Sequence, residues 1–426
     1  MSLTFGGMLI GLLIDVLLAA RLGASQAMDS LIIALSLPLL IDTVTREGSK
    51  FSMVPLFVEK RRNEPEDFDR FTSAVLNSAL LIGLALYLIS VALSPFVVNA
   101  LGPGLTAGGR QYANDLFLAC APVLALAPAI TVMSVLLNSS KRFYLAALRN
   151  SVAPSIVLVS LCISWNQPNV TIWVAGAYSV GFTLYFVILA VGLRLGGRQH
   201  SWGAWINKND YERLSGVVFW PTLGFSAAQG VWLAERAIAS LVTIGGVSSY
   251  YFAFRIYSGI QSVVGTSIAT TGLPGLTEDH TSGQVALFTA QLRRRAIHAF
   301  LLALPISIFI IVFRHEIVDF VYARGVFDDY ASERTAELFG WFGVGILFAT
   351  VLPVLNSGLY AIGAIRTVFG NMLVTALCRI CLAWWFASIL GFGLQGIAAA
   401  VAITVAFSLF SLICLLRWHD IKLLRA

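Results

Sequence analysis

Long, uninterrupted apolar runs recur along this chain of 426 residues, and they constrain its fold more than any other feature. Bounded by charge, Gly and Pro, they lie near residues 2–20, 27–59, 71–100, 112–138, 144–165, 169–194, 214–243, 247–275, 294–313, 335–362, 367–390 and 393–417. About 20 apolar residues span a bilayer as a helix. The runs are continuously apolar, without the alternation of a membrane barrel strand. They predict an all-α polytopic membrane protein with about 12 transmembrane helices.

Composition agrees: 58% of residues are hydrophobic and 12% charged, with a mean hydropathy of +0.82. A soluble domain carries about twice that charge, which excludes a soluble enzyme, a nucleic-acid-binding protein and a disordered tail. The formal charge of +6 therefore reports where the loops lie and implies no nucleic-acid partner. Met1 to Ala20 lacks a basic leading segment and reads as a first membrane helix, not a cleaved signal. The cysteines Cys120, Cys162, Cys378, Cys381 and Cys414 lie in or beside apolar stretches and read as packing residues.

Of the 28 Lys and Arg residues, eighteen fall after the even-numbered helices or in the C-terminal tail and five in the opposite loops. The positive-inside rule then puts both termini in the cytoplasm. An internal repeat is also visible. Leu137-Asn138-Ser139 recurs as Leu355-Asn356-Ser357, and Val54-Pro55 with Glu59 recurs as Leu273-Pro274 with Glu278. A similar offset in both pairs points to duplication of six helices, with both halves in the same orientation. The expected organisation is two parallel six-helix lobes, 1–194 and 214–426. Between them runs a cytoplasmic interfacial linker, 195–213, that carries Trp202 and Trp205.

Five basic residues remain inside or near the ends of spans: Arg46, Lys50, Arg236, Arg255 and Arg379. Acids in comparable positions are Asp15, Asp29, Asp42, Glu47 and Glu235. A charge at the bilayer centre costs about 2.5–3.5 kcal/mol on insertion scales, so such groups turn to a cavity or a partner. Asp42, Arg46 and Lys50 recur every four residues beside Glu47. Two readings stay open: a polar stripe lining a water-filled cavity, or i, i+4 pairs on a solvated extension. Glu235 and Arg236 point about 100° apart on a helix, so at least one must find a charge elsewhere. Arg255 follows Tyr250, Tyr251, Phe252 and Phe254, an aromatic setting suited to sugar and phosphate contact or to packing. No nucleotide-binding, H-E-x-x-H or G-x-S-x-G motif occurs, so no enzyme chemistry and no cofactor is implied. Any transport must draw on a gradient or on downhill substrate flow.

The stretch Arg21-Leu-Gly-Ala-Ser, Asp29, Leu37-Pro38, Glu47-Gly48, Val54-Pro55 resembles the opening of the MurJ/MviN-type flippases of the MOP exporter superfamily. The likeness continues through Glu235-Arg236-Ala-Ile-Ala-Ser, then Tyr251, Arg255, Gly265 and Leu273-Pro274, then Gly325-Val-Phe327, Gly358, Tyr360 and Arg366-Thr367. This resemblance implies two lobes that alternate between inward-open and outward-open states and move a polyprenyl-pyrophosphate-linked saccharide to the outer leaflet of a bacterial cytoplasmic membrane. It implies membrane lipids and envelope glycan synthesis proteins as partners. Arg255, Arg236, Arg46, Lys50 and Asp29 are the expected substrate contacts; Glu235, Arg379, Asp42 and Glu47 are the expected coupling or gating groups. There are departures. Lipid II flippases of the family carry arginines where this chain has Met8, Ile14 and Asp42, and two further C-terminal helices. Glu235 stands at an acidic position associated in some members with sodium, and Arg379 at its partner position, where a fixed guanidinium replaces the ion. A cation-coupled small-molecule antiporter of the same fold and a non-transporting membrane scaffold are the alternative readings.

Overall fold

Within hydrocarbon a peptide N–H or C=O has no water to bond, so a spanning segment must close its hydrogen bonds internally and long apolar runs become helices. The computed structural model describes residues 2–50, 53–140, 142–261 and 284–418, and no strand occurs among them. The first half contains α1 (Ser2–Leu22), α2 (Gln26–Lys50), α3 (Met53–Asn63), α4 (Phe68–Ala92), α5 (Ser94–Leu101), α6 (Ala107–Cys120) and α7 (Pro122–Ser139). It continues with α8 (Phe143–Ala147), α9 (Arg149–Ile163) and α10 (Val170–Leu195), and α11 (Lys208–Val242) leads into the second half. There follow α12 (246–261), α13 (Val285–Val312), α14 (Arg314–Tyr322), α15 (Asp329–Ala349), α16 (Leu352–Ala361), α17 (Ile365–Trp384) with a π-helical turn Trp385–Ile389, and α18 (Gly393–Trp418). Ten helical stretches among the described residues are long and apolar enough to cross a membrane. The 21-residue α1 and the described part of α12 stand at the other two expected positions. The chain is an all-α polytopic membrane protein.

It divides into two compact units, Met1–Gln229 and Gly230–Ala426. The division falls inside α11, not at the 195–213 linker, because the linker is bonded into the first unit. Asn77 Nδ2 of α4 lies 3.0 Å from both the Ser201 and Ala204 carbonyls, and the Ser201 N–H donates to Ser73 Oγ at 3.1 Å. Lys60 Nζ meets Asp210 at 3.1 Å and Arg213 meets Glu59 at 2.8 Å. Burial alone would lower the Lys60 pKa, but hydrogen bonds to Glu64 and Asp210 raise it overall, so the ammonium stays charged.

In the first unit α7 is central. Phe57, Phe68 and Phe71 pack with Val132 and Val135 on one side of it; Phe182, Tyr185 and Leu189 of α10 pack with Ile130 and Met133 on the other. Proline inside spans leaves carbonyls without their helical donor. Pro38 releases the carbonyl of Ala34, and the buried Cys120 thiol of α6 donates to it at 3.5 Å. Pro154 releases that of Asn150, against which Gly7 of α1 lies so closely that a Cβ there would sit 2.2 Å from the oxygen. In the second unit, Phe288 and Leu292 of α13 pack with Val354, Leu355 and Leu359 of α16 and with Leu412 and Leu416 of α18.

Among the described residues four expected single helices are divided: 71–100 into α4 and α5, 144–165 into α8 and α9, 112–138 into α6 and α7, and 335–362 into α15 and α16. The last two breaks begin a new helix with Pro in its first turn, Pro122 and Pro353, where the missing N–H costs nothing. Two stretches, one in each expected repeat, are alike in length and in how they open. Ala107–Ser139 and Asp329–Ala361 each have 33 residues. Each opens on a side-chain cap: Thr106 Oγ1 accepts from the Gly109 N–H at 3.1 Å and Asp328 Oδ1 from the Ala331 N–H at 2.8 Å. Leu137-Asn-Ser closes α7 and Leu355-Asn-Ser lies within α16, whereas Leu273-Pro274 and Glu278 lie outside the described residues.

A direct test of the α4–α7 crossing is Gly83→Val. A Cβ at Gly83 would lie 2.1 Å from the Ala125 carbonyl oxygen, so the helices must part. The substitution is expected to cost roughly 1–3 kcal/mol, read as a lowered thermal midpoint of the purified protein in detergent. An unchanged midpoint would show that the two backbones are not in contact.

Candidate functional site

Each unit holds charged groups within its membrane spans. In the second unit, Glu235 lies on α11 seven residues before its end, about 10 Å into the span at 1.5 Å per residue. Its side chain is fully buried. Arg379 of α17 reaches it with two parallel hydrogen bonds: Nε donates to Oε1, and Nη2 to Oε2 at 2.9 Å. The Tyr250 hydroxyl of α12 donates to Oε2 at 2.5 Å. Trp232, one turn before Glu235, puts its ring 5.4 Å below the Arg379 guanidinium. Tyr250 in turn packs edge to face on Phe342, with ring centroids 5.6 Å apart. Both carboxylate oxygens therefore hold charge-assisted or hydroxyl hydrogen bonds inside an aromatic wall, the arrangement in which an ion pair survives without water.

Two more guanidinium groups lie close in sequence to this pair. Arg236 is half-buried, with its guanidinium 5.9 Å over the Tyr251 ring. Arg255 is exposed on α12, nine residues after its start, about 14 Å along the helix. That is close to the middle of a hydrocarbon layer about 30 Å thick. The second unit thus sets an ion pair and two further guanidinium groups along these helices.

In the first unit Asp42 and Arg46 of the expected stripe on α2 do not pair with each other. Asp42 is buried and forms an ion pair with Arg149 of α9, whose guanidinium lies 5.4 Å over the Phe182 ring. Asp42 Oδ1 accepts no hydrogen bond from any described residue. Arg46 instead pairs with the adjacent Glu47, since a long guanidinium arm can wrap to a neighbour that ideal helix angles turn away. The Lys50 side chain lies outside the described residues. Asp29 is 2% exposed in the first turn of α2, where the helix dipole favours an acid.

The structure therefore brings together Glu235 with Arg379, and Arg46 with Glu47, and sets Asp42 against a residue that sequence reasoning assigned to a cytoplasmic loop. That residue, Arg149, is the first of α9 and is largely buried. Its signal in the sequence was weak: it closes a basic loop, and only the packing of α9 on α10 turns it inward. Tyr250 and Trp232 were likewise legible only as aromatic neighbours. Among the described residues no group of three or more His, Cys, Asp or Glu is placed to hold a metal ion.

Breaking a buried pair from one side strands the other charge. Arg379→Ala is expected to destabilise the purified protein by about 3–5 kcal/mol. The double substitution Glu235→Gln with Arg379→Gln should recover part of that loss, a coupling measurable as a double-mutant cycle in thermal or denaturant unfolding. Additive losses would mean that the two side chains do not meet.

The sequence model of the lipid II flippase MurJ family matches residues 18–423. The probable lipid II flippase MurJ of Thermotoga maritima is 24% identical, over 94% of this chain and 80% of that protein. The lipid II flippase MurJ of Burkholderia cenocepacia is 25% identical, over 86% of this chain and 74% of its own. Among solved structures, a lipid II flippase MurJ in an inward closed conformation superposes with a TM-score of 0.86 at 20% identity, covering 99% of this chain and 89% of that one. An inward-facing multidrug resistance MATE transporter of the MOP superfamily gives 0.84 at 12% identity, covering 99% and 96%. At these identities the structures speak to the fold alone, while the match to the family model runs almost from end to end: the chain belongs to the lipid II flippase MurJ family.

Proposed function

We propose that this protein flips a polyprenyl-pyrophosphate-linked saccharide precursor from the cytoplasmic to the outer leaflet of a bacterial cytoplasmic membrane, by alternating access of lobes 1–194 and 214–426 joined by the linker 195–213. The observation that carries the reading is Arg255, an exposed guanidinium near mid-depth of a span. Facing acyl chains it would cost about 2.5–3.5 kcal/mol on insertion scales; facing a wetted path it offers a pyrophosphate bidentate hydrogen bonds. Arg236 is the second contact for the head group. Arg46 and Lys50 recruit it from the cytoplasmic side, and Glu235, Arg379, Asp42 and Glu47 exchange partners between states. Asp29, buried at the start of α2, takes part through the packing of its helix. The saccharide is an envelope or exopolysaccharide precursor, lipid II included, supplied by glycan synthesis proteins in the same membrane. Both termini face the cytoplasm.

Energy for switching fits a fixed-charge carrier. A charge moved through the field is worth about 2.3 kcal/mol per 100 mV. Glu235 already holds a cation, the Arg379 guanidinium, on both of its oxygens, which favours coupling to membrane potential or to substrate flow over sodium binding at this carboxylate. The antiporter and scaffold readings have no comparable observation in their favour.

Two measurements test the proposal. In a leaflet assay with a labelled polyprenyl-pyrophosphate saccharide, Arg255→Ala should abolish export while the protein remains in the membrane at normal abundance; undiminished export by that variant would refute it. In proteoliposomes, replacing sodium by choline should leave the wild-type rate unchanged. A strict sodium requirement would overturn the fixed-charge scheme without touching the substrate assignment.

A further inference from the structure

The first unit carries a recess whose chemistry differs from that of the charged clusters. α4, α7 and α10 form its walls, the 197–202 part of the linker borders it, and its volume is 890 Å³. Deep in the recess the walls are apolar: Leu76 and Leu80 of α4, Met133 and Leu136 of α7, and Phe186 of α10. At its mouth stand Arg194 and Arg198 with His200. A smaller cavity of 150 Å³ shares Leu193 and Arg198 with it and adds Arg61 and Arg142. Four arginines thus surround the paired openings, and among the described residues no Asp or Glu lines either one.

The arginines divide by role. Arg198 is held by Asp69 and lies 4.6 Å over the Phe68 ring, and Arg142 Nη1 donates to the Gly192 carbonyl at 3.2 Å. Arg61 and Arg194 are exposed, and their guanidinium groups make no hydrogen bond or ion pair to a described residue. The hydroxyls at the mouth are already bonded: Thr72 and Ser73 both donate to the Asp69 carbonyl, at 3.2 and 2.7 Å. These two hydroxyls are thus turned away from a ligand, whereas a compact anion would find guanidinium groups. Depth points the same way. Residues 72 to 80 of α4 cover about 12 Å from the end of a span, the reach of a head group and the upper part of its chains in one leaflet. The neighbouring linker exposes Trp202 and Trp205, the residue type that settles at head-group level.

We propose that this recess is a binding site for an anionic glycerophospholipid of the surrounding leaflet. Its phosphate lies against Arg61, Arg194 and Arg198, and its acyl chains run along Leu76, Leu80 and Phe186. The bound lipid fastens the linker to α4 and α10 and makes the stability of the first unit depend on membrane composition. The site is separate from the proposed substrate path and stands whether or not that proposal holds.

Phosphatidylglycerol and phosphatidylcholine, titrated into the detergent-purified full chain and followed by native mass spectrometry and thermal midpoint, provide the test. Wild type should retain phosphatidylglycerol roughly tenfold or more tightly than phosphatidylcholine and be stabilised by it. Arg61→Gln with Arg194→Gln, both at exposed positions, should reduce that preference to near unity without lowering the lipid-free midpoint. Ala190→Trp, which fills the recess, should weaken retention of both lipids and serves as an independent probe should the double variant fold poorly. Equal retention of the two lipids by wild type, or unaltered phosphatidylglycerol binding in both variants, would overturn the proposal. So would stoichiometric displacement of phosphatidylglycerol by undecaprenyl pyrophosphate, which would assign the recess to the transported lipid.

Discussion

An ionised side chain in hydrocarbon has neither water nor counter-ions, and the positions of the charges in this protein follow from that constraint. Each unit answers it in the same way, by joining an acid on one span to an arginine on another: Glu235 with Arg379 in the second, Asp42 with Arg149 in the first. Each guanidinium also rests over an aromatic ring, Trp232 or Phe182, which supplies a polarizable face where solvent is missing. The Glu235 pair is fully satisfied, because Tyr250 takes up remaining acceptor capacity. The Asp42 pair leaves one carboxylate oxygen without a hydrogen bond from any described residue, and is the less settled of the two. A pair that is neutral as a whole can stay inside a membrane at modest cost. It can also be opened when a stronger anion competes for the arginine.

Much of the fold was legible because its cause is local. Among the described residues the apolar runs translate into helical stretches almost one for one, since a bilayer admits few other ways to satisfy the backbone. The breaks at Pro122 and Pro353 were missed for a complementary reason: hydropathy does not register where a helix restarts, although proline chemistry does. For the charges, the sequence showed which groups are out of place but not whom they meet. Helix geometry correctly set Glu235 apart from Arg236, and the structure supplies Arg379 from 144 residues away. The same rule fails at Arg46 and Glu47, where side-chain length outweighs the angle between Cβ vectors. Arg149 stands near the start of the run 144–165 and counts with the loops on hydropathy alone, which cannot see the aromatic surface of α10 that receives it.

The linker repeats this lesson at larger scale. Its polarity suggested a spacer between lobes, yet its carbonyls are gathered by one amide, Asn77, and its end is fixed by Lys60 with Asp210 and by Arg213 with Glu59. A polar segment beside a membrane is as much in need of hydrogen-bond partners as a buried one, and the first unit provides them. That is why the boundary between units falls within a helix rather than in the most hydrophilic stretch of the chain.

The bare contacts at Gly83 and Gly7 carry a mechanical implication. Where one backbone rests directly on another, there are no rotamers to swivel and no methyl groups to compress, so a push on α4 reaches α7 with little slack, and a push on α1 likewise reaches α9. Such joints behave as stiff bearings, and a bundle built on them moves as a lever more readily than it deforms.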